Sequence, residues 1–390
     1  MRDRISQLQG RLSFHGLAAA IFMHPRDVFY YAGTGQPCNL IVPAEGEPVL
    51  LARRVLEWAK ADATVAIVIE GRGLPEVRDT LLARGCLTEG ARLGIAADLL
   101  PATLYVKLTQ YFPECKLENI SPLVLDQRMQ KEKSESLAVS VAATVYCRAH
   151  EVILRELHAG MTELDLAAKV SAALRQGEHE GIPRFRRWDA SLQPEGLIMA
   201  GPNTWHISGH AMTVTGVGLS PSLPWGASRS SIRTGDLVVV DIGINVHGYH
   251  ADIARTYVVG KADTKQKYMF EVVKEIQTAA LNAIRPGVTG SEIFRVARET
   301  AIKTGVAQYF QGYGLMQGDY IGHGVGLEMD EPPTLDSKCQ VIIKRDMTLA
   351  IEPKVIIPEW GAIDMEDTVH VTDTGNELLC PVPRELFEVT

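Results

Sequence analysis

The stretch GDLVVVDIGINVHGYHADIARTYVVG, Gly235 to Gly260, decides how the second half of the chain folds. Leu237 to Ile242 is a β-rich apolar run, Asn245-Val246-His247-Gly248 carries turn chemistry, and Ala254 to Val259 returns to strand composition. Two such runs around a glycine-containing turn predict a hairpin. A hairpin sets Asp241 and Asp252, in or just before its two arms, side by side. Asp241 sits between Val240 and Ile242, where a buried charge must find a partner or be neutralised. A divalent cation is one partner. The competing reading is a pair of exposed strand-end acids, and these two residues alone do not separate the two.

Three downstream residues do. His323 lies in Ile321-Gly322-His323-Gly324-Val325-Gly326, where glycines permit close backbone approach. Glu352 closes the apolar strand candidate Leu349-Ala350-Ile351, and Glu366 opens another at Asp367-Thr368-Val369. Four carboxylates and one imidazole form a hard, oxygen-rich donor set, suited to Mn²⁺, Fe²⁺, Co²⁺ or Zn²⁺. There are enough carboxylates to bridge two ions about 3.5–4 Å apart, the usual spacing in two-metal hydrolases.

Outward from this core, the first ~125 residues alternate between helix and strand patterns. Ile5, Leu8 and Leu12 recur at helical spacing; Leu17 to Met23 and Val65 to Ile69 read as strands. Asn39 to Val42 and Val49 to Ala52 flank Glu45-Gly46-Glu47 as a second hairpin. Leu74 to Arg84 is helical and Arg92 to Ala97 returns to strand. This segment, 1–125, carries no chemical motif. Polar residues around Lys131 to Glu135 then introduce a long helix from Leu137 to about His158, so the second domain is placed at 126–390. Within it, Gly160-Met161-Thr162 and Gly287-Val288-Thr289 each open a helix, with Asp165 and Glu292 three residues after the threonines. This capping-box signature, repeated with matching flanks, predicts a duplicated unit with pseudo-twofold symmetry. The fold class is α/β (α+β).

Bulk properties exclude several classes. At 46% apolar and 22% charged residues the chain is not disordered. A net charge of -8 with no basic run beyond Arg184-Phe185-Arg186-Arg187 argues against nucleic acid. No window approaches 18 consecutive apolar residues, and Met1 to Ile5 lacks a leader's apolar core, so neither a membrane span nor a signal peptide is expected. Cys38, Cys86, Cys115, Cys147, Cys339 and Cys380 show no paired spacing, which suits free thiols in a cytoplasmic protein.

The contexts DIGINVHGYHADIARTY (241–257), GHGVGLEMDEPP (322–333), AIEPK (350–354) and MEDTV (365–369) resemble the metallopeptidase family of pita-bread fold. That family, M24, includes methionine aminopeptidase, aminopeptidase P, prolidase, creatinase and ectoine hydrolase. The resemblance covers nearly the whole chain. It implies a creatinase-type N-terminal α/β domain followed by a pseudo-twofold catalytic domain. It also implies that Asp241 chelates one ion, Asp252 and Glu366 bridge two, and His323 and Glu352 bind the second. Two divalent ions, Mn²⁺ first and Co²⁺, Zn²⁺ or Fe²⁺ otherwise, are expected to activate a water whose proton Glu352 takes. The implied reaction is hydrolysis of a C–N bond in a small peptide, most simply by an Xaa-Pro dipeptidase or aminopeptidase. A homodimer is also implied, with Phe29-Tyr30-Tyr31 a candidate for reaching the partner's site.

Two positions depart from the peptidase branch. Leu223-Pro224-Trp225-Gly226 carries Trp225 where that branch has a histidine, and Asp330 stands seven residues after His323 where it has another. Asp330 is therefore a candidate catalytic and substrate-binding residue. Trp225, through its π face, and the loop histidines His206 and His210 are candidate substrate contacts. The alternative function is a non-peptidase acting on a small cyclic or amidine-like compound. A lyase or a non-catalytic metal-binding homologue stands behind it.

Overall fold

A computed structural model describes residues 4–209 and 215–390. The chain divides into two compact units, Met1–Arg128 and Met129–Thr390. A helix, Ser121–Met129, runs through the boundary expected at 125, so a cut there would split one element.

The first unit is built on a six-stranded mixed sheet. Its strands stand in the order Ile67–Glu70, Val49–Ala52, Cys38–Pro43, Ala19–Phe22, Arg92–Ile95 and Lys116–Asn119. The expected hairpin around Gly46 is present, with Cys38 opposite Ala52 and Ile41 opposite Val49. Ile21, Ile41, Leu51, Val77, Leu81, Leu93, Leu108 and Phe112 form its core. Tyr30 and Tyr31, named above as candidates for reaching a partner, are instead 3% exposed inside this unit. The Tyr31 hydroxyl donates to Gln127 Oε1 at 3.1 Å, and the Arg4 guanidinium covers the Tyr30 ring. Packing and a hydrogen bond occupy both rings.

The second unit repeats one arrangement twice. A long helix, Lys133–Glu156, packs against a shorter one, Glu163–Gln176; later Thr264–Ala283 packs against Gly290–Lys303. Both shorter helices begin with the expected boxes. Thr162 Oγ1 accepts from the Asp165 N–H, Thr289 Oγ1 accepts from the Glu292 N–H, and each acid binds back to the threonine N–H. The helix Lys133–Glu156 is long and apolar enough, by length and composition, to cross a membrane. Here Val139, Ala142, Ala143, Tyr146, Ala149 and Ile153 are buried, and the helix lies against the strands of the hairpin read first from the sequence.

That hairpin is the centre of the unit. Leu237–Val246 pairs antiparallel with Tyr249–Val259 without a break, from Leu237 opposite Val258 to Val246 opposite Tyr249. His247 (φ 51°) and Gly248 (φ 81°) make a two-residue turn with both φ values positive. That geometry matches the twist of the strands and accepts glycine most readily. Leu197–Ala200 and Phe387–Val389 extend the sheet on either side. Every residue of Tyr249–Val259 is buried, and so is every residue of Leu237–Val246 except the half-buried Asp241. A side chain such as Val239 or Ile253 contributes about 1.5–3 kcal/mol by such burial, which offsets the cost of carrying an aspartate in each arm.

A five-stranded antiparallel sheet forms the other half. Its order is Glu331–Asp336, Tyr320–Gly324, Thr348–Ile351, Asp367–Val371, Asn376–Leu378.

Candidate metal centre

The sheet register brings Asp241 and Asp252 together. Asp252 lies opposite Gly243 and Asp241 opposite Ala254. Strand alternation therefore puts both carboxylates on one face, as diagonal neighbours. Gly243, between them on that face, leaves room for Met329: a Cβ there would stand 1.9 Å from the Met329 sulfur. The strand holding Asp252 docks against Glu366. Ala254 and Glu366 exchange backbone hydrogen bonds, and Thr368 Oγ1 bonds both the N–H and the C=O of Asp252.

His323 comes from Tyr320–Gly324, opposite Ala350. The flanking glycines are required by close approach: a Cβ on Gly322 would lie 1.9 Å from the Ala350 carbonyl oxygen, and one on Gly324 would lie 2.4 Å from the Pro332 oxygen. His323 Nδ1 is 3.0 Å from the Gly324 carbonyl oxygen, to which its N–H donates. That bond holds one proton on Nδ1 and turns Nε2 towards the carboxylates, the usual second-partner arrangement of a ligating histidine. Nε2 is 3.3 Å from Glu352 Oε1 and 3.9 Å from Asp252 Oδ2.

Glu352 and Glu366 occupy an interruption between two ladders. Ile351 pairs with Asp367 in the large sheet, and Lys354 pairs with Asp364 in a separate ribbon, Lys354–Ile357 with Gly361–Asp364. The same register runs on both sides of the gap, which sets Glu352 across from Glu366. Pro353 has no N–H to contribute to a ladder. Gln311 stitches the gap: its side chain donates to the Glu352 carbonyl at 3.1 Å and accepts from the Lys354 N–H at 2.7 Å.

The five residues Asp241, Asp252, His323, Glu352 and Glu366 line one cavity of about 230 Å³. Asp330, Lys354, Tyr320, Phe185, Arg187 and Met329 share its wall. Asp252, His323 and Glu366 offer ligand atoms within 4.8 Å of one another. The hydrogen bonding of buried carboxylates in this unit decides what these atoms want. Glu163 is fully buried, but its oxygens accept from the N–H groups of Ala200 and Ser228 and from Asn203 Nδ2. Asp367 is equally buried and is held by Arg255 at 2.7 Å and Gln277 at 3.0 Å. Asp252 Oδ1 and Glu366 Oε1 are buried and receive no hydrogen bond. Buried acceptors with no donor cost several kcal/mol, which a divalent cation removes. The residues present fit such an ion.

Electrostatics agree. Burial, and then the neighbouring Asp241 charge, pushes the Asp252 carboxyl up to about 8. Burial and Asp252 push Glu366 well above the carboxylate range, and burial raises Asp241. Burial alone would lower His323, but Asp330 and the bond to Glu352 raise it to about 10. Burial would raise Glu352, yet the Lys354 ammonium and His323 hold it down to about 2. Burial raises Asp364 against the pull of Lys354. Such a set carries protons that a dication displaces.

The other sequence candidates fall differently. Asp330 lines the cavity, half exposed, with Oδ1 3.9 Å from His323 Nδ1. Trp225 and His206 are not among the cavity's lining residues. Trp225 packs against the cluster of Leu197, Met199, Val239, Ile356 and Ala362. The His206 ring folds back on its own turn, stacked on Trp205, with Nδ1 2.9 Å from the Pro202 carbonyl oxygen. His210 lies outside the described residues. Arg255, three residues after Asp252, pairs with Asp367 and binds the carbonyls of Ala254, Glu366 and Val382. Sequence reasoning missed Lys354, Asp364 and Gln311. The signal for Lys354 was its place two residues after Glu352, inside a motif already singled out.

Comparison with known proteins fits this geometry. The pattern of metallopeptidase family M24 matches residues 138–373, and that of the creatinase/prolidase N-terminal domain matches residues 4–130. An Xaa-Pro dipeptidase of Pyrococcus furiosus is 28% identical over 99% of this chain and 100% of its own length. The crystal structure of the prolidase from Pyrococcus horikoshii OT3 superposes with a TM-score of 0.81 at 26% identity, covering 98% of this chain and 99% of that one. An Xaa-Pro dipeptidase structure from Bacillus anthracis, at 24% identity and a TM-score of 0.84 over 98% of both chains, shares the fold. The chain belongs to metallopeptidase family M24, with its pita-bread catalytic domain behind a creatinase-type N-terminal domain. It is a metal-dependent peptidase, and the family implies divalent metal ions.

Proposed function

We propose that this enzyme cleaves the peptide bond before proline in small Xaa-Pro peptides, through a centre held by Asp241, Asp252, His323, Glu352 and Glu366. The observation that carries the reading is the pair of orphaned buried oxygens, Asp252 Oδ1 and Glu366 Oε1, beside His323 in one cavity of about 230 Å³. The Pyrococcus relatives, both Xaa-Pro dipeptidases, supply the substrate class.

Bound divalent cations, Mn²⁺ in the first instance and two in number, would supply a Lewis acid and a water of lowered pKa. The chain's own residues do the rest. Glu352, kept ionised by Lys354 and His323, is the base that takes a proton at a carboxylate oxygen. Asp330, at the cavity wall and near His323 Nδ1, stands where the amine of a substrate or a departing proton can be met. Phe185, Leu192 and Met329 give the wall apolar surface suited to a proline ring. Six unpaired thiols suit a reducing, cytoplasmic setting. The homodimer is retained as part of the proposal, to be tested by light scattering.

The test is a panel of Xaa-Pro dipeptides and Xaa-Pro-Yaa tripeptides offered to metal-reconstituted enzyme, with Glu352→Ala as control. Metal-dependent and Glu352-dependent cleavage supports the reading. Full metal loading without cleavage would overturn it and turn the search to small cyclic C–N compounds.

A further inference from the structure

Lys354 is a buried cation in the wall of the centre whose charge the proposed reaction does not use directly. Its ammonium is buried, 2.9 Å from Glu352 Oε2 and 3.4 Å from Asp241 Oδ2. Both contacts are to candidate metal ligands. An ammonium gripping these oxygens competes with a dication for them and repels it across a low-dielectric site.

Asp364 removes that conflict. It stands directly across the ribbon from Lys354 and is fully buried, with Oδ2 3.3 Å from the ammonium. Neither of its oxygens meets a donor in hydrogen-bonding geometry, so ion pairing is what accounts for a buried carboxylate at this point. It is not a lining residue of the cavity. The charges then close. Asp241, Asp252, Glu352 and Glu366 carry four negative charges, which two dications cancel, and Lys354 with an ionised Asp364 adds none; burial works against that charge, and the ammonium 3.3 Å away favours it. The ribbon ties the two sets together: Lys354 lies two residues after Glu352 and Asp364 two residues before Glu366.

We propose that Lys354 and Asp364 form an internally neutral pair that positions the metal ligands. The ammonium fixes the orientation of Asp241 and Glu352, and the Asp364 carboxylate cancels its charge so that the site keeps its capacity for two divalent ions. Both are positioning residues. The inference rests on the metal-dependent reading above.

The test is Mn²⁺ titration by calorimetry into the metal-free full-length chain, with metal content after dialysis measured by elemental analysis. Wild type, Asp364→Asn, Lys354→Met and the double variant are compared, and circular dichroism checks the fold of each. Wild type is expected to bind two Mn²⁺. Asp364→Asn, left with an uncompensated ammonium, should bind its weaker Mn²⁺ at least about tenfold less tightly. The double variant, with no net change of charge, should recover most of that loss at the cost of ligand orientation. If Asp364→Asn does not fold, the double variant decides alone: two ions bound more weakly than in wild type supports the pair, and affinities equal to wild type overturn it. One ion per wild-type chain would mean that Lys354 stands in for a cation and would overturn the proposal, as would an Asp364→Asn protein that binds two ions as tightly as wild type. No uptake of Mn²⁺, Co²⁺, Zn²⁺ or Fe²⁺ by wild type would instead sink the proposed function itself.

Discussion

The hairpin Leu237–Val259 and the interrupted ribbon Thr348–Asp367 each carry two of the acidic residues, yet they hold them in opposite ways. The hairpin is an unbroken ladder closed by a two-residue turn, and strand alternation puts both its aspartates on one face. The ribbon breaks its ladder where the glutamates sit, and a buried glutamine, a proline and an ion pair hold the gap open. One half is placed by regular secondary structure and the other by tertiary support. Damage to the ribbon should therefore reach the chemistry through side chains that are not themselves ligands, whereas damage to the hairpin should act through the ligands or the packing of its face.

The largest expected effect is at the ribbon. Glu352→Ala removes the proposed base and should lower kcat by about 10²–10⁴-fold on an Xaa-Pro dipeptide, measured by steady-state kinetics. A comparable kcat in the variant would mean that another group takes the proton.

The next effect concerns both halves at once. Asp252, held up to about 8, and His323, held up to about 10, keep protons in the folded metal-free protein that the unfolded chain has already released. A group with a raised folded pKa stabilises below its ordinary value and loses that stabilisation as pH rises towards the folded one. Buried His250 is lowered to about 4 by burial, so it opposes this trend only below its ordinary value of about 6.5. Between pH 6.5 and 8 the metal-free protein should lose about 2–4 kcal/mol, read as a fall in Tm of its catalytic unit. Metal-loaded protein should show no such fall. A flat metal-free profile would mean that the carboxylates are not crowded.

Gly322→Ala sharpens the comparison on the packing side. Its Cβ meets a backbone oxygen that has no rotamer to change, so a cost of about 1–3 kcal/mol or more in denaturant unfolding is expected. Full stability would show that the histidine strand can shift. The smallest pair of effects separates cavity from cluster. Asp330→Asn should change kcat/KM by about tenfold or more, since it alters a charge at the cavity wall. Trp225→Phe should change KM less than about twofold, because Trp225 does not line the cavity and packs against a hydrophobic cluster. A reversed order would place the tryptophan at the substrate.

The same contrast explains what could be read from the sequence. Asp241 was visible because a lone carboxylate inside Val238–Ile242 has no local partner, and Asp252 because a turn two residues long fixes its distance from Asp241. His323 was visible because glycines flank it, and close backbone approach did prove to require them. The N-terminal hairpin and both threonine caps were likewise local patterns. The pairing of Lys354 with Asp364 was not legible, because it depends on a register across Pro353 and Met365 that no local pattern encodes. Trp225 and His206 were expected at the site from their place in the chain. Packing of the partly buried indole against a hydrophobic cluster and a bond within a single turn drew them elsewhere.

The central claim is that buried, donor-less carboxylate oxygens beside His323 make this a metal-dependent peptidase. The most direct measurement is to titrate Mn²⁺ into the metal-free enzyme while following metal bound per chain and the rate of Ala-Pro hydrolysis together. The account predicts no hydrolysis without metal, a rate that rises in step with occupancy, and loss of both in Glu366→Ala. Hydrolysis by metal-free enzyme, or an unchanged rate in Glu366→Ala, would contradict it.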